Sequence, residues 1–211
     1  MLFGNSDYAE AAKAAESMVR DTSNFNWTFI ALLAFVAIVY VNEIKAKNFK
    51  AVAAALALYS VHWFYEIMNA VICHFSGYAL WTVSASSTSY ILLVGVCWEL
   101  SMMFAIAGFT AKLLPEDKDK KILGINNRIF FAILSALGFS LMEIFLASTP
   151  AFIWVYSWWG AIPVFITTYI PFFLAAFLIY DKEPKTQKMF IGTLMGINAI
   201  LLAVLIPLGI I

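Results

Sequence analysis

The sequence predicts an all-α fold, a polytopic transmembrane helical bundle of six spans with both termini outside, and three observations carry that expectation. Of the 211 residues, 63% are hydrophobic, 17% aromatic and only 12% charged, and the mean hydropathy of +0.86 lies well outside the range of soluble domains. The apolar residues come in continuous runs of helical length, whereas a membrane barrel shows roughly ten-residue stretches of alternating polarity. Lysine and arginine gather on alternate connections between those runs. The length allows about six or seven spans of about 20 residues. No room is left for a separate soluble domain, so one six-helix domain over residues 27–211 is expected behind a polar outer segment, residues 1–26.

Residues 1–26 lack the basic start and the continuous apolar core of a cleavable signal peptide. Residues 8–20 are alanine-rich with Glu10, Lys13, Glu16 and Arg20 at helical spacing, which predicts an amphipathic helix on the outer surface, and Asp21-Thr22-Ser23-Asn24 breaks it. The expected spans are residues 27–41, 51–75, 90–114, 122–147, 151–180 and 189–211. At about 30 residues the fifth exceeds a straight crossing, and Pro163 and Pro171 within it predict a kink or an interfacial first turn. Trp154, Trp158 and Trp159 near its start fit an aromatic belt. No repeat between the two halves and no low-complexity tract is found.

Eleven of the thirteen basic residues lie on three connections: Lys45, Lys47 and Lys50; Lys112, Lys118, Lys120, Lys121 and Arg128; Lys182, Lys185 and Lys188. The positive-inside bias makes those connections cytoplasmic and both termini external. Glu116, Asp117 and Asp119 in the second of them do not alter this, because the bias counts Lys and Arg.

Inventory excludes several chemistries. Histidine-rich di-iron sites need more than His62 and His74, and those two, about 18 Å apart by helical rise, cannot jointly ligate one haem. No lysine sits mid-span for a retinal Schiff base, and no glycine-rich phosphate loop is present. Cys73 and Cys97 lack metal spacing and read as buried apolar thiols. No metal, cofactor or nucleic-acid partner is expected.

What stands out is three glutamates, Glu66, Glu99 and Glu143, in apolar runs without a nearby lysine or arginine. Carboxylates at bilayer depth are costly and usually face a cavity or a partner. Tyr59, His62, Glu66, Asn69 and Cys73 follow offsets of three and four and so line one helix face, with His62 and Glu66 one turn apart. At about 1.5 Å per residue, His62, Glu66 and Glu99 fall about 14–20 Å below the outer end, in one layer. Asn198, just past Gly192 and Gly196, is expected near the same depth, and Glu143 one turn shallower with Ser140 beside it. Apolar surroundings favour a neutral, proton-donating form of at least one acid.

The His62-x-x-x-Glu66 pair, the Ser89-Tyr90-Ile91 and Val96-Cys97-Trp98-Glu99 runs, Arg128 with Gly138 and Glu143, and Pro150 with Trp154 occur in that order. Together they resemble the EXPERA fold of emopamil-binding proteins and sterol isomerases over residues 55–180. The resemblance implies that His62 and Glu66 act in proton transfer at a ring double bond while Glu99 stabilises a carbocation. This chain departs from that family in a shorter second connection, an added sixth helix, and only distant substitutes, Trp158 and Asn198, for its tryptophan and asparagine pair. Trp98-Glu99 is also similar to the Trp-Glu motif of membrane-bound terpene cyclases, which implies related chemistry.

The leading expectation is a membrane-embedded, isomerase- or cyclase-like acid/base enzyme acting on an isoprenoid or sterol-like lipid. His62, Glu66 and Glu99 are its catalytic candidates, and Tyr59, Asn69, Trp98, Glu143, Trp158 and Asn198 line the substrate site. Trp63, Phe64, Tyr65 and Trp98 offer cation–π stabilisation. The alternatives are a proton- or cation-coupled transporter using the glutamates as a relay, with helix breaks at Pro163, Pro171 and Gly196, and a subunit of a larger membrane complex or homo-oligomer. A hydrated path to both faces favours transport. An apolar pocket opening sideways to lipid, with the acids at its end, favours lipid chemistry.

Overall fold

Among the described residues, five helices are long and apolar enough to cross a membrane, against the six spans expected. The structure, a computed structural model, describes residues 2–4, 9–84 and 88–211. In chain order the helices are α1 (Ala9–Ser17), α2 (Thr28–Lys45), α3 (Phe49–Ser76), α4 (Trp98–Ala107), α5 (Asn127–Ala147), α6 (Ala161–Val164), α7 (Ile170–Tyr180) and α8 (Pro184–Leu205). A π-type turn, Phe165–Tyr169, joins α6 to α7, so that Ala161–Tyr180 is one span. Tyr8, in the segment expected to form the first helix, lies outside the described residues.

The third expected span, residues 90–114, is not a continuous helix. It opens as an antiparallel hairpin of β2 (Ile91–Leu93) and β3 (Val96–Cys97), and only then forms α4, which tightens into 3₁₀ turns over Gly108–Leu113. Ile91 and Val96 suit strands, and Val94 and Gly95 form the turn between them. Two further ribbons correct the all-α expectation to mostly helical: β1 (Trp81–Val83) with β6 (Phe152–Trp154), and β4 (Lys121–Ile122) with β5 (Ile125–Asn126). The fifth expected span, residues 151–180, correspondingly begins as a strand and becomes helical only at Ala161.

α3 is the central helix, and its first half explains why. Ala51, Ala53, Ala54, Ala55 and Ala57 are buried, and small side chains let neighbouring backbones come close where no hydrophobic effect drives helix association. A Cβ on Gly108 would lie 2.5 Å from Ala55 Cα, so the turns after α4 rest directly on α3. Gly77, with φ 85°, ends α3 as a left-handed cap whose N–H bonds the Cys73 carbonyl at 2.8 Å. The outer helices α2 and α8 each bury little: Val36 on the first, Gln187 and Asn198 on the second.

The basic connections collect at one end of the bundle. Lys112 pairs with Glu43, joining the end of α2 to the turns after α4. Arg128, buried at the start of α5, forks onto Asp181 just past α7, with Nε–Oδ2 2.6 Å and Nη2–Oδ1 2.9 Å, and donates through Nη1 to the Pro115 carbonyl at 2.7 Å. At the opposite end the Ala161 amide donates to Leu2 O at 3.0 Å, and Arg20 Nη2 donates to the Ile211 carbonyl at 2.9 Å. Both ends of the described chain therefore share the end that carries the β1–β6 ribbon. α1 packs there too, with Ala12 and Ala15 buried.

Pro171 has no amide to give the Thr167 carbonyl. The helix widens into the π-type turn just before it, and the Tyr65 hydroxyl takes that carbonyl at 2.8 Å. The prolines predict a kink or an interfacial first turn; the irregularity the structure shows near them is this π-type turn.

Removing the fork with Arg128→Ala leaves the largely buried Asp181 unpaired, and a loss of about 3 kcal/mol is expected, read as a lowered melting temperature in detergent. Arg128→Lys, a point charge in place of a planar fork, recovers only part of it. Lys112→Ala, at a half-exposed pair, costs less than about 1 kcal/mol by the same measurement.

Candidate functional site

Two carboxylates share one cavity, and each is held by a tryptophan. Glu66 is buried on α3, and the Trp81 indole N–H faces both its oxygens at 3.3 and 3.2 Å. Glu143 is buried on α5 and accepts the Trp154 indole N–H at 2.6 Å and the Tyr169 hydroxyl. Trp81 and Trp154 are direct partners across the β1–β6 ribbon. A buried indole needs an acceptor and a buried carboxylate needs donors, so each acid and its tryptophan satisfy one another. The construction occurs twice: a helix carries the acid, and the strand that follows it returns the donor.

Asn69 and Gly95 fix this arrangement. Asn69 Nδ2 donates to Trp81 O at 2.9 Å and its Oδ1 accepts the Leu80 amide at 2.8 Å, pinning β1 to α3. A Cβ on Gly95 would lie 2.3 Å from Asn69 Nδ2, 2.5 Å from Trp81 Nε1 and 2.8 Å from Glu66 Oε2. Only a residue without a side chain lets the β2–β3 turn cover the pair so closely.

His62 Nε2 is 3.4 Å from Glu66 Oε1, within reach of the carboxylate but outside hydrogen-bond geometry, and Nδ1 has no partner among the described residues. Phe104 stacks on the imidazole at 4.2 Å, with Phe172 edge-on at 5.9 Å. Thr168 Oγ1, also without a partner among the described residues, lines the same cavity. Such atoms are usually satisfied by ordered water or a bound group. The cavity offers about 40 Å³ to water centres, room for a few waters at about 10–15 Å³ each. Beyond His62, the two acids, Thr168 and Tyr169, its lining is apolar and aromatic: Trp81, Leu100, Met103, Phe104, Phe139, Met142, Leu146, Phe152, Val164 and Phe172.

The candidates from sequence divide. His62, Glu66 and Glu143 line the cavity, and Asn69 supports it. Tyr59 lies parallel to the His62 ring at 6.1 Å, but its hydroxyl bonds Ser101 at 2.9 Å. Glu99 is not in the cluster. It sits in the first turn of α4, bonded to the Ser89 amide at 2.7 Å and Thr88 Oγ1 at 2.8 Å, where it orders the turn before β2. Trp98 stacks on Phe29 at 3.7 Å and donates to its carbonyl, tying α4 to α2. Trp158 is exposed, and Asn198 joins α8 to the Ser60 carbonyl of α3 at 2.8 Å. Of the expected aromatic belt only Trp158 faces outward: Trp154 is buried on Glu143, and Trp159 stacks on Trp81.

Trp81, Tyr169 and Gly95 escaped the reading of the sequence. Trp81 opens a Ser/Thr-rich connection, and Tyr169 follows Thr167 and Thr168 just before Pro171; polar residues beside a mid-span proline are the signal that marks it.

The fold and site define a multi-pass integral membrane protein with a buried pair of acids. Residues 9–207 match an uncharacterized membrane protein family, and the chain belongs to that family. It is 42% identical over 200 residues, 92% of this chain and 95% of the relative, to an uncharacterized protein of Archaeoglobus fulgidus. No solved structure matches.

Trp154→Phe removes a buried donor from Glu143 and is expected to destabilise by about 1–3 kcal/mol, whereas Trp158→Phe stays within about 0.5 kcal/mol. Thermal unfolding of the two variants side by side measures this. Gly95→Ala is expected to shift the tryptophan emission spectrum, because Trp81 must leave Glu66; an unchanged spectrum contradicts the close approach.

Proposed function

We propose that this protein is a membrane-embedded acid/base enzyme that moves protons on an unsaturated, isoprenoid-type lipid. The observation that carries the reading is that Glu66, Glu143 and His62 line one small apolar cavity. No lysine or arginine is among the residues lining that space, so proton transfer there falls to the two acids and His62. In this reading Glu66 is the acid and His62 its relay. Glu66 gives its proton to one alkene carbon, the π pair forms the new C–H bond, and a cation remains on the neighbouring carbon. The Glu143 carboxylate, held by Trp154 and Tyr169, stabilises that cation. Loss of a proton from an adjacent carbon to Glu66 restores a double bond at a shifted position and returns the site to its starting state.

The resemblance to emopamil-binding proteins supports the same pair, His62 and Glu66, for proton transfer. The second acid in this reading is Glu143, because Glu99 is occupied with the turn at Thr88 and Ser89. Transport is the weaker alternative, since the cavity is otherwise lined by Leu, Met, Phe, Val and Trp, and Phe104 and Phe172 lie against His62.

The test is deuterium incorporation from D₂O into polyprenyl lipids in vesicles holding the purified protein. Glu66→Gln is expected to lower incorporation at least about 100-fold at unchanged melting temperature, and Glu99→Gln to leave it near wild type. Equal incorporation by wild type and Glu66→Gln, or none by wild type, rejects the proposal.

A further inference from the structure

The way into the cavity selects what can reach it. α4 packs on α2 and α3, and α5 packs on α7 and the π-type turn, while α4 and α5 hardly touch each other. Yet both line the cavity, through Leu100, Met103 and Phe104 on one wall and Phe139, Met142 and Leu146 on the other. Met142 is 54% exposed, and Leu100, Met103 and Leu146 are partly so, which places them at a seam between the two helices facing the bilayer. Glu143 lies one turn from the end of α5 and Glu66 ten residues from the end of α3, about 6 and 15 Å along the helices. The seam therefore opens at acyl-chain depth in the leaflet on the ribbon side, below the headgroups.

Shape then decides. Drug-sized or ring-shaped ligands occupy cavities of about 300–1,000 Å³, against space here for a few waters. An unfused isoprenoid chain, one carbon wide apart from its methyl branches, has a narrower cross-section than a fused ring system, and the seam can widen by that much through rotation of two unbranched methionines, the most adaptable apolar side chains. A fused ring system would have to part α4 from α5. We infer that the occupant is a linear unsaturated hydrocarbon chain of a bilayer lipid, admitted sideways between α4 and α5, with Met103 and Met142 as the side chains that exclude fused rings. The inference rests on the proposed lipid chemistry for its substrate but not for its entry route.

The experiment uses the full chain in vesicles with two photoreactive probes, a polyprenyl lipid bearing a chain diazirine and a sterol bearing a ring diazirine, with labelled residues mapped by mass spectrometry. The chain probe is expected to label residues 100–103 and 142–146 well above the outer face of α2, and the sterol probe to label the seam no more than α2. Met142→Trp and Leu100→Trp, on opposite walls, are each expected to lower seam labelling by the chain probe at least tenfold, while Trp158→Phe, at an exposed position away from the cavity, leaves it unchanged. Equal seam labelling by the sterol probe, or chain labelling indifferent to both tryptophans, overturns the inference. Seam labelling by the chain without deuterium exchange rejects only the proposed chemistry, and exchange with labelling confined to other faces rejects only the entry route.

Discussion

A carboxylate inside an apolar bundle has few sources of hydrogen bonds, because the helices around it have already committed their amides to their own carbonyls. Here one donor to each acid, an indole N–H, comes from outside the helices. The strands after α3 and α5 fold back, pair with each other, and set the Trp81 and Trp154 indoles against Glu66 and Glu143. Several other features depend on that exchange: the Asn69 clamp on β1, the glycine in the β2–β3 turn, and the Trp159 ring stacked on Trp81. Without the acids the ribbon would bury two unsatisfied indoles, and without the ribbon Glu66 would lose its indole donor and Glu143 would keep only the Tyr169 hydroxyl.

Close packing is the other half of the construction. The alanines of α3 and Gly108 bring backbones together on the basic side of the bundle. The aromatic rings gather around His62 and toward Tyr169. The cavity with its acids lies toward the ribbon end, and the opposite end is secured by Arg128 and Asp181.

Much of the architecture was legible in the sequence because hydropathy and charge report directly on the bilayer. The apolar runs, the three basic connections and the face shared by His62, Glu66 and Asn69 follow from composition and helical spacing alone. The segment from Tyr90 to Leu114 was misjudged because an apolar run looks alike whether it forms a helix or a hairpin capped by a short helix. That error displaced Glu99: counted along a continuous helix it falls at mid-depth, whereas it stands at a helix start beside a Thr-Ser turn. Glu143 was placed near the others by depth, but its bond to Trp154 depends on a strand register that no local pattern encodes. For the same reason the twofold use of helix, acid, strand and tryptophan left no repeat to find: the intervals are fifteen residues in one case and eleven in the other.

The π-type turn before Pro171 has a consequence for how this span divides its labour. An inserted residue rotates everything beyond it by about a hundred degrees around the axis. The stretch before the turn packs on α5 and puts Val164 on the cavity wall, and the stretch after it presents Phe172, Phe173, Ala176 and Phe177 to the bundle interior in an independent phase. One helix thus behaves as two angular registers joined by a bearing. Tyr169 stands at the joint, its ring packed with Phe104, Phe139 and Phe172 while its hydroxyl reaches Glu143.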